Sequence, residues 1–336
     1  MGMVEQWLWR QWSHRGPFAA AMFPLSLLYA GLAGWRRSRL EDTQRHVVLP
    51  LKAVIVVGNL TVGGSGKTPM TAWLAQSLKR AGYWPGIVSR GYGRRNAHAS
   101  LPVHPGADPS AVGDEPILLA RRTGVPVWVD RDRVRAARAL AAQGVDVVIS
   151  DDGLQHHRLP RDISILMLDG KRRLGNGLCL PAGPLREPGS AVACADFVVV
   201  TGGSPQGGEY AMRLETPGTV SSVGRHGVQR PQREFAGRPA HAVAGIADPE
   251  RFFTALEAAG VDVIRHPFPD HHRFHARDID FDDQHPVLMT EKDAVKCREF
   301  ADERHWYWPV SARPDPAFEP ALLRRLESMI RLKYLG

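Results

Sequence analysis

Cysteine is scarce in this sequence, and repeated or low-complexity segments are missing from it. Three cysteines occur among 336 residues, far apart and without a CxxC pair: Cys179, Cys194 and Cys297. This spacing excludes a disulfide framework and fits a reducing compartment. A motif typical of RNA- or DNA-binding proteins is also missing. We therefore do not expect nucleic acid as a partner.

The overall composition is that of a globular protein long enough for two domains. Hydrophobic residues make up 43% of the chain and charged residues 23%, which argues against disorder. The formal net charge is +8, so anionic partners are favoured. A phosphorylated substrate, an anionic membrane surface or a nucleic acid would each satisfy this charge, and charge alone does not choose among them.

A phosphate-binding loop is predicted in the stretch Lys52–Pro69. Ala53–Val57 is an apolar, β-branched run typical of a buried strand. A glycine-rich loop follows as far as Gly66, and Met70–Arg80 has the pattern of a helix. Strand, glycine loop, Lys-Thr and helix form the P-loop arrangement, in which backbone N–H groups and the helix N-terminus bind phosphate.

The side chains of this loop have separate expected roles. Lys67 would reach the β- and γ-phosphates of ATP, and Thr68 would hold Mg²⁺ through its hydroxyl. The motif calls for glycine at the position of Thr61, so the loop departs from the pattern there. The nucleotide-binding residues predicted from the loop are Thr61, Val62, Gly63, Gly64, Ser65, Gly66, Lys67 and Thr68.

Strands and helices alternate after the P-loop, which predicts an α/β fold with a doubly wound, mainly parallel sheet. The apolar runs expected to form further strands of this sheet are residues 86–91, 125–129, 146–150, 164–168 and 197–201. Asp151 and Asp152 close one of these runs, as in a Walker B segment, where a carboxylate holds Mg²⁺ directly or through water. Asn96–Pro109 is rich in Pro, Ala and His and is expected to be a loop.

A second, smaller α/β pattern follows a segment rich in Gly, Ser and polar residues. We therefore expect three parts: an N-terminal helical segment at residues 1–45, a P-loop domain at 46–223 and a smaller C-terminal α/β domain at 224–336. The second domain is expected to contain four strands and to close with an amphipathic helix at Pro320–Leu335.

The N-terminal segment contains 20 residues without a formal charge, Gly16–Trp35, flanked by arginines and tryptophans. Its length is near the minimum for a membrane span, but several Ala and Gly residues and Pro24 make it less apolar than a strong span. Three alternatives stay open: a helix on or shallowly in the membrane surface, a true span, and a buried core helix. Each of them leaves the P-loop in the cytoplasm.

The order of seven motifs resembles one family closely, the tetraacyldisaccharide 4′-kinases, which are the lipid A kinases of Gram-negative bacteria. The likeness runs from about Trp7 to about Lys296. Thr61 matches the variant P-loop of that family. The motifs are GNLTVGGSGKTP at 58–69, RGYGR at 90–94, GDEP at 113–116, DDGLQHH at 151–157, LPAGPLREP at 180–188, FPDHH at 268–272 and TEKDAVK at 290–296.

The resemblance implies transfer of the ATP γ-phosphate to the 4′-hydroxyl of a tetraacyldisaccharide 1-phosphate, forming lipid IVA. It implies ATP and Mg²⁺ as cofactors and a location on the cytoplasmic face of the inner membrane; we also expect a monomer. The catalytic pair of the family matches Asp114 and His271, and its Mg²⁺-side acids match Asp151 and Asp152. Four further residues are expected to line the site or bind substrate: Gln155, His156, Arg186 and Glu187.

Several alternatives remain beside this interpretation. A P-loop ATPase acting as a metal chaperone or motor would share the loop and the histidines, and a GTPase would need a base-reading motif that residues 290–293 match poorly. Asp114 at a helix start is also explained as a cap. His271 with His272 and His275 suggests a zinc site, although no cysteine cluster supports it. Either Arg131 or Arg133 would meet phosphate.

Overall fold

The computed structural model describes residues 3–44, 46–225 and 227–335. The helices are α1 (Met3–Trp12), α2 (Pro17–Gln44), α3 (Lys67–Arg80), α4 (Pro109–Val112), α5 (Asp114–Thr123), α6 (Arg133–Ala141), α7 (Pro249–Ala258), α8 (Glu291–Cys297) and α9 (Phe318–Leu335). The strands are β1 (Ala53–Gly58), β2 (Pro85–Ser89), β3 (Leu101–Val103), β4 (Val127–Val129), β5 (Val147–Asp151), β6 (Ile163–Asp169), β7 (Phe197–Thr201), β8 (Tyr210–Glu215), β9 (Thr219–Ser222), β10 (Gln229–Pro231), β11 (Pro239–Ala244), β12 (Asp262–Pro267), β13 (Val287–Thr290), β14 (His305–Trp308) and β15 (Ser311–Pro314).

The larger sheet is mainly parallel, and its strand order is β15-β8-β7-β6-β1-β5-β2-β4-β3. The edge strands β3 and β15 are antiparallel to their neighbours. All six residues of β1 are buried, as expected for a strand with both faces covered. Val57 pairs with Asp151 across β1 and β5, so the P-loop and the acidic pair leave the sheet side by side.

Helices cover both faces of this sheet. Residues of α3, α5 and α9 form one apolar core with β1, β5 and β6. Residues of α6 form the other core, against which Tyr29 and Ala30 of α2 also pack. The prediction of a doubly wound α/β fold is confirmed, because an open parallel sheet lies between two helical layers.

The smaller sheet has the order β10-β9-β14-β13-β11-β12 and a core of its own. The domain division at residue 223 stays a prediction, and sheet membership differs from it at two places. Strand β9 precedes residue 223 but belongs to the smaller sheet. Strand β15 and helix α9 come late in the chain, yet they return to the larger sheet, where Phe318 packs on Phe197, Tyr210 and Trp73.

Residues 96–109, which we predicted to be a loop, include the short strand β3. It contains Pro102 and pairs only with β4, at the edge of the sheet, where proline is tolerated. Strands β9 and β10 similarly lie in the glycine- and serine-rich segment expected to be a junction. Strand β3 is only three residues long, and β9 and β10 are short and polar, so no apolar pattern reveals them.

The N-terminal helix α2 is long and mostly unburied. Its apolar stretch, Pro17–Leu40, is long enough to cross a membrane, and 11% of it is buried. This exposure contradicts the alternative of a buried core helix. The large apolar side chains of α2 that lie exposed are Phe23, Leu25, Leu27, Leu28, Leu32 and Trp35.

Candidate active site

The P-loop is held in shape by glycine geometry and by its neighbours. Gly66 adopts the left-handed conformation (φ 82°) immediately before α3. A Cβ there would lie 2.9 Å from Met212 Cε, so both the backbone and the space favour glycine. The Thr201 hydroxyl, at the end of β7, donates a hydrogen bond of 3.0 Å to the Ser65 carbonyl. Strand β7 therefore supports the loop from the side.

The segment LPAGPLREP runs alongside the P-loop in an antiparallel direction. Thr61 and Leu185 form an isolated bridge, and the Arg186 N–H donates a hydrogen bond of 2.7 Å to the Leu60 carbonyl. Thr61 is buried and is not among the residues with positive φ, so its position does not demand the glycine of the common motif. This pairing brings Arg186 to the phosphate side of the loop.

The acidic pair lies where the Walker B interpretation expects it. Asp151 ends β5, is buried, and accepts a hydrogen bond of 3.0 Å from the Thr71 hydroxyl. Asp152 has a positive φ of 48°, which turns its carboxylate toward two cations. Lys67 Nζ is 3.5 Å from Asp152 Oδ1, and Arg186 Nη1 is 3.5 Å from Oδ2. Three of the predicted site residues thus meet at one point.

The pKa values of the two carboxyl groups are shifted in opposite directions. Burial, the Glu115 charge and the Asp152 charge together raise the pKa of Asp151 to about 7. Burial also acts on Asp152, but Lys67 and Arg186 outweigh it and hold its pKa below the ordinary value. Asp152 is therefore an anion at neutral pH, whereas Asp151 lacks enough positive charge around it.

A cation bound beside the two carboxyl groups would supply the positive charge that Asp151 lacks. Asp152 Oδ1 is buried and has no hydrogen-bond partner among the described residues, although Lys67 is nearby. The buried Ser65 hydroxyl oxygen is equally unsatisfied. Carboxylate and hydroxyl oxygens are the donors that Mg²⁺ prefers, with phosphates and waters completing the shell.

The two arginines after β4 differ in burial. Arg133 is 2% exposed and donates hydrogen bonds to the carbonyls of Asp130 and Asp151, at 3.2 and 3.1 Å. Burial lowers the pKa of Arg133 to about 10, while the charges of Asp151 and Asp152 act in the opposite direction. Arg131 is exposed. Only Arg133 therefore lies beneath the acidic pair.

Asp114 and His271 form a second cluster of predicted site residues. Asp114 begins α5, and its Oδ2 lies 3.5 Å from His271 Nδ1, on the segment after β12. Gly113 has a φ of 95°, and a Cβ there would lie 3.2 Å from Gly91 Cα, so the GDEP and RGYGR segments touch through their backbones. That contact brings Tyr92 to the pair, with its ring centroid 4.7 Å from that of His271.

Asp114 and His271 each favour the charged form of the other. Burial raises the pKa of Asp114, but the hydrogen bond with His271 and the charge of Lys292 outweigh it and lower the pKa to about 2. The hydrogen bond to Asp114 raises the pKa of His271, against burial and the Lys292 charge. Asp114 is thus a buried anion at the start of a helix, where the helix dipole also favours negative charge.

Sequence reasoning missed two residues of this cluster, Glu115 and Lys292. Lys292 Nζ is 3.2 Å from Glu115 Oε1 and 3.3 Å from His271 Nε2. The segment TEKD was interpreted as part of a family motif and as a poor match to a nucleotide-base motif, and no role was predicted for its lysine. Thr290 does cap α8, accepting a hydrogen bond from the Asp293 N–H. The useful signal was a lysine one residue into a helix that follows a buried strand.

The remaining predicted residues lie around the loop with different partners. The Gln155 amide donates a hydrogen bond of 2.9 Å to the Asn59 carbonyl, at the entry to the P-loop. His156 Nε2 contacts the Arg131 carbonyl at 3.0 Å. Glu187 points away from the acidic pair, toward His157 at 3.3 Å and Arg37 at 3.7 Å. Glu187 therefore connects the loop to α2.

The three histidines considered as zinc ligands do not converge on one point. His271 faces Asp114 at 3.5 Å, whereas His272 and His275 both face Asp278, at 3.2 and 3.5 Å. Across residues 3–44, 46–225 and 227–335, no group of three or more His, Cys, Asp or Glu side chains is arranged to hold a metal ion. The zinc alternative gains no support from this geometry.

Comparison with known proteins decides the family. The family model described as tetraacyldisaccharide-1-P 4′-kinase matches residues 18–327. The chain belongs to the tetraacyldisaccharide-1-P 4′-kinase family. The resemblance predicted from the seven motifs is therefore confirmed, and neither the metal-chaperone nor the motor alternative is favoured.

Two curated members of this tetraacyldisaccharide 4′-kinase family show how far the likeness extends. The protein from Alkalilimnicola ehrlichii is 49% identical over 95% of this chain and 97% of its own length. The protein from Nitrosococcus oceani is 47% identical over 96% and 95%. Both carry the name tetraacyldisaccharide 4′-kinase.

A solved structure from the same family agrees with the fold. The LpxK protein of Aquifex aeolicus, crystallised in complex with ATP, superposes with a TM-score of 0.76 at 29% identity. The match covers 92% of this chain and 99% of that one. The fold described above is thus shared with that family member.

Proposed function

We propose that this chain transfers the γ-phosphate of ATP to the 4′-hydroxyl of a tetraacyldisaccharide 1-phosphate, giving lipid IVA. The observation that carries the proposal is a pair of opposed clusters within a member of this kinase family. Lys67, Asp152 and Arg186 meet at the P-loop, and Asp114 meets His271 beside Glu115. The charge of Glu115 acts on Asp151, so the two clusters lie within electrostatic reach of each other.

The phosphate side supplies positive charge and backbone N–H groups. Lys67 at the start of α3 would reach the β- and γ-phosphates, with the N–H groups of residues 61–68 around them. Arg186 would add a second cation once nucleotide competes for its contact with Asp152. Thr68, Asp151 and Asp152 would hold Mg²⁺, which neutralises phosphate charge when bound. Arg133, buried beneath the acids, would stabilise their negative charge.

The acceptor side supplies a base. Asp114 would accept the proton of the sugar hydroxyl at its carboxylate, and His271 Nδ1 would hold that carboxylate in place. A carboxylate with a pKa near 2 is a weak base. Phosphoryl transfer has a loose transition state that asks little of the attacking hydroxyl, so positioning counts for more than basicity. Gln155 and His156 would line the space between the two sides.

A membrane location on the cytoplasmic face of the inner membrane completes the proposal. Support comes from the exposed leucines of α2 and from the basic residues after them, which suit anionic headgroups. An acylated acceptor would be met at such a surface. Extraction of the membrane fraction distinguishes a spanning α2 from one that lies on the surface. Salt releases a surface-bound protein, whereas a spanning one needs detergent.

The proposed reaction has a direct test. Purified protein is incubated with γ-labelled ATP, Mg²⁺ and disaccharide 1-phosphate, and the lipid fraction is analysed for a bisphosphorylated product. Label should move to lipid only when the acceptor carries a free 4′-hydroxyl. ATP turnover that is indifferent to acceptor would refute the kinase proposal and favour an ATPase.

A further inference from the structure

Two ion pairs connect α5 of the larger domain to α8 of the smaller one, and α5 supplies the cation in one pair and the anion in the other. Glu115 and Arg122 are seven residues apart on α5, two turns of helix, and therefore share one face. On α8, Glu291 accepts two hydrogen bonds from Arg122, at Oε1 from Nε and at Oε2 from Nη2. Lys292 of the same helix pairs with Glu115 at 3.2 Å. Arg122 and Glu291 are each 15% exposed, so this pair is largely shielded from solvent.

Lys292 continues from this contact to the proposed catalytic pair. Its ammonium group lies 3.3 Å from His271 Nε2 and 3.3 Å from Asp270 Oδ1, and the side chain is 16% exposed. An ammonium group has donors only, so the ring nitrogen facing it must accept. The ring proton of neutral His271 then lies on Nδ1, which faces Asp114 Oδ2 at 3.5 Å.

We propose that Lys292 is a positioning residue for the phosphoryl transfer: by donating to Nε2 it fixes the tautomer and the ring orientation of His271, so that Nδ1–H points to Asp114. The Arg122–Glu291 pair fixes the start of α8 and so the place of Lys292. This inference rests on the proposed role of Asp114 as the base. The chemistry itself stays at Asp114, and Lys292 exchanges no proton.

A positioning cation of this kind should change the dependence of kcat on pH. Lys292 lowers the pKa of both Asp114 and His271. Its removal should raise both values, so the acid limb of kcat should move to higher pH. The charged or titratable groups facing the pair are Tyr92 after β2, Asp114 and Glu115 on α5, Asp270 beside His271, and Lys292 and Lys296 on α8.

The test compares Lys292→Met with Lys292→Arg, and uses the exposed Lys79→Met as the matched control. We expect Lys292→Met to lower kcat by about 10- to 100-fold, with KM for ATP within twofold of the wild type. Lys292→Arg restores a donor and should recover much of the loss. Wild-type kcat in Lys292→Met, or equal losses in Lys79→Met, would overturn the inference.

A second measurement does not depend on activity. Nitrogen NMR of the ¹⁵N-histidine-labelled protein reports the tautomer of each ring, and His271→Ala identifies the signal of His271 by its loss. At a pH above the raised pKa of His271, where the ring is neutral, the wild type should show the Nδ1–H form, and Lys292→Met a mixed or reversed one. An unchanged His271 signal in a folded Lys292→Met would refute the tautomer argument.

The same experiments separate this inference from the proposed function. If Asp114→Asn keeps full activity, the base assignment fails, whatever Lys292 does. If Asp114→Asn is inactive and Lys292→Met is unaffected, only the positioning role fails. The reversed pair, Arg122→Glu with Glu291→Arg, should recover kcat lost by either single change, and no recovery would show that this pair does not hold α8.

Discussion

Coupling between Asp114 and His271 is the most informative prediction to test. We consider Asp114→Asn, His271→Ala and the double variant. A positioned base contributes about 10²–10⁴-fold to the rate, so Asp114→Asn should lower kcat by a factor in that range. His271→Ala should lose as much or less, because it acts through Asp114. If the two work as one unit, the double variant should be little worse than Asp114→Asn alone.

The pKa of Asp114 gives the net preference of the folded protein for its charged form, to which His271, Lys292 and Lys296 contribute and which burial opposes. Its fall from 3.8 to about 2 in a buried position corresponds to roughly 2 kcal/mol of preference for the charged form. That contribution is present above pH 3.8 and is lost as the pH falls through about 2. His271 has a raised pKa, so its contribution is present below 6.5 and is lost as the pH rises through its folded value. The pair should stabilise the fold most between about pH 4 and 6.5.

Two assays check these expectations. Initial rates of lipid phosphorylation give kcat and KM for ATP for the four proteins, and urea unfolding gives their stabilities at pH 5 and at pH 8. The gap in unfolding free energy between wild type and His271→Ala should be larger at pH 5. Additive losses in kcat would show that His271 binds substrate or orders the domains. A weakened ATP affinity in Asp114→Asn would show that Asp114 serves the nucleotide, and the base assignment would be wrong.

Four further perturbations follow from the structure. Lys67→Ala should abolish phosphoryl transfer, and Asp152→Asn should raise the Mg²⁺ concentration needed for half-maximal rate; wild-type rates in a kinase assay would contradict the P-loop site. Deleting residues 1–35 should shift protein from the membrane to the soluble fraction on flotation, and unchanged partitioning would contradict a docking role. Phe318→Ala should cost about 3–5 kcal/mol of unfolding free energy by urea titration, against little change for the exposed Leu332→Ala.

The P-loop and the parallel sheet were predictable because their signals are local. The run Ala53–Val57, the glycines after it and the Lys-Thr pair are contiguous in sequence, and one strand, one turn and one helix follow from them. Asp151 and Asp152 ended an apolar run in the same way. Their catalytic and metal-binding roles stay predictions for the assays above.

The contact between α5 and α8 was not predictable on the same grounds. Arg122 and Glu291 are 169 positions apart, and no local pattern links them. Lys292 was noted only within a family motif and a poor base-reading motif, because its partners Glu115, Asp270 and His271 lie on other elements. Helix α9 was predicted as a helix, but its return to Phe197 depends on β15 joining an edge that the sequence does not mark. Long-range pairing, and not local propensity, decided each of these features.

Hydrogen bonds from α2 connect this helix to the segment that carries Arg186. The Ser26 hydroxyl donates to the Cys179 carbonyl at 2.8 Å, and the Tyr29 hydroxyl donates to the Arg186 carbonyl at 3.2 Å. Arg186 in turn contacts Asp152 through its side chain. With α2 docked on lipid as proposed, the bilayer surface becomes a reference plane for the phosphate loop. The acceptor would then reach the site by sliding within two dimensions, without leaving the lipid phase, and lipid packing around α2 would set the alignment of Arg186.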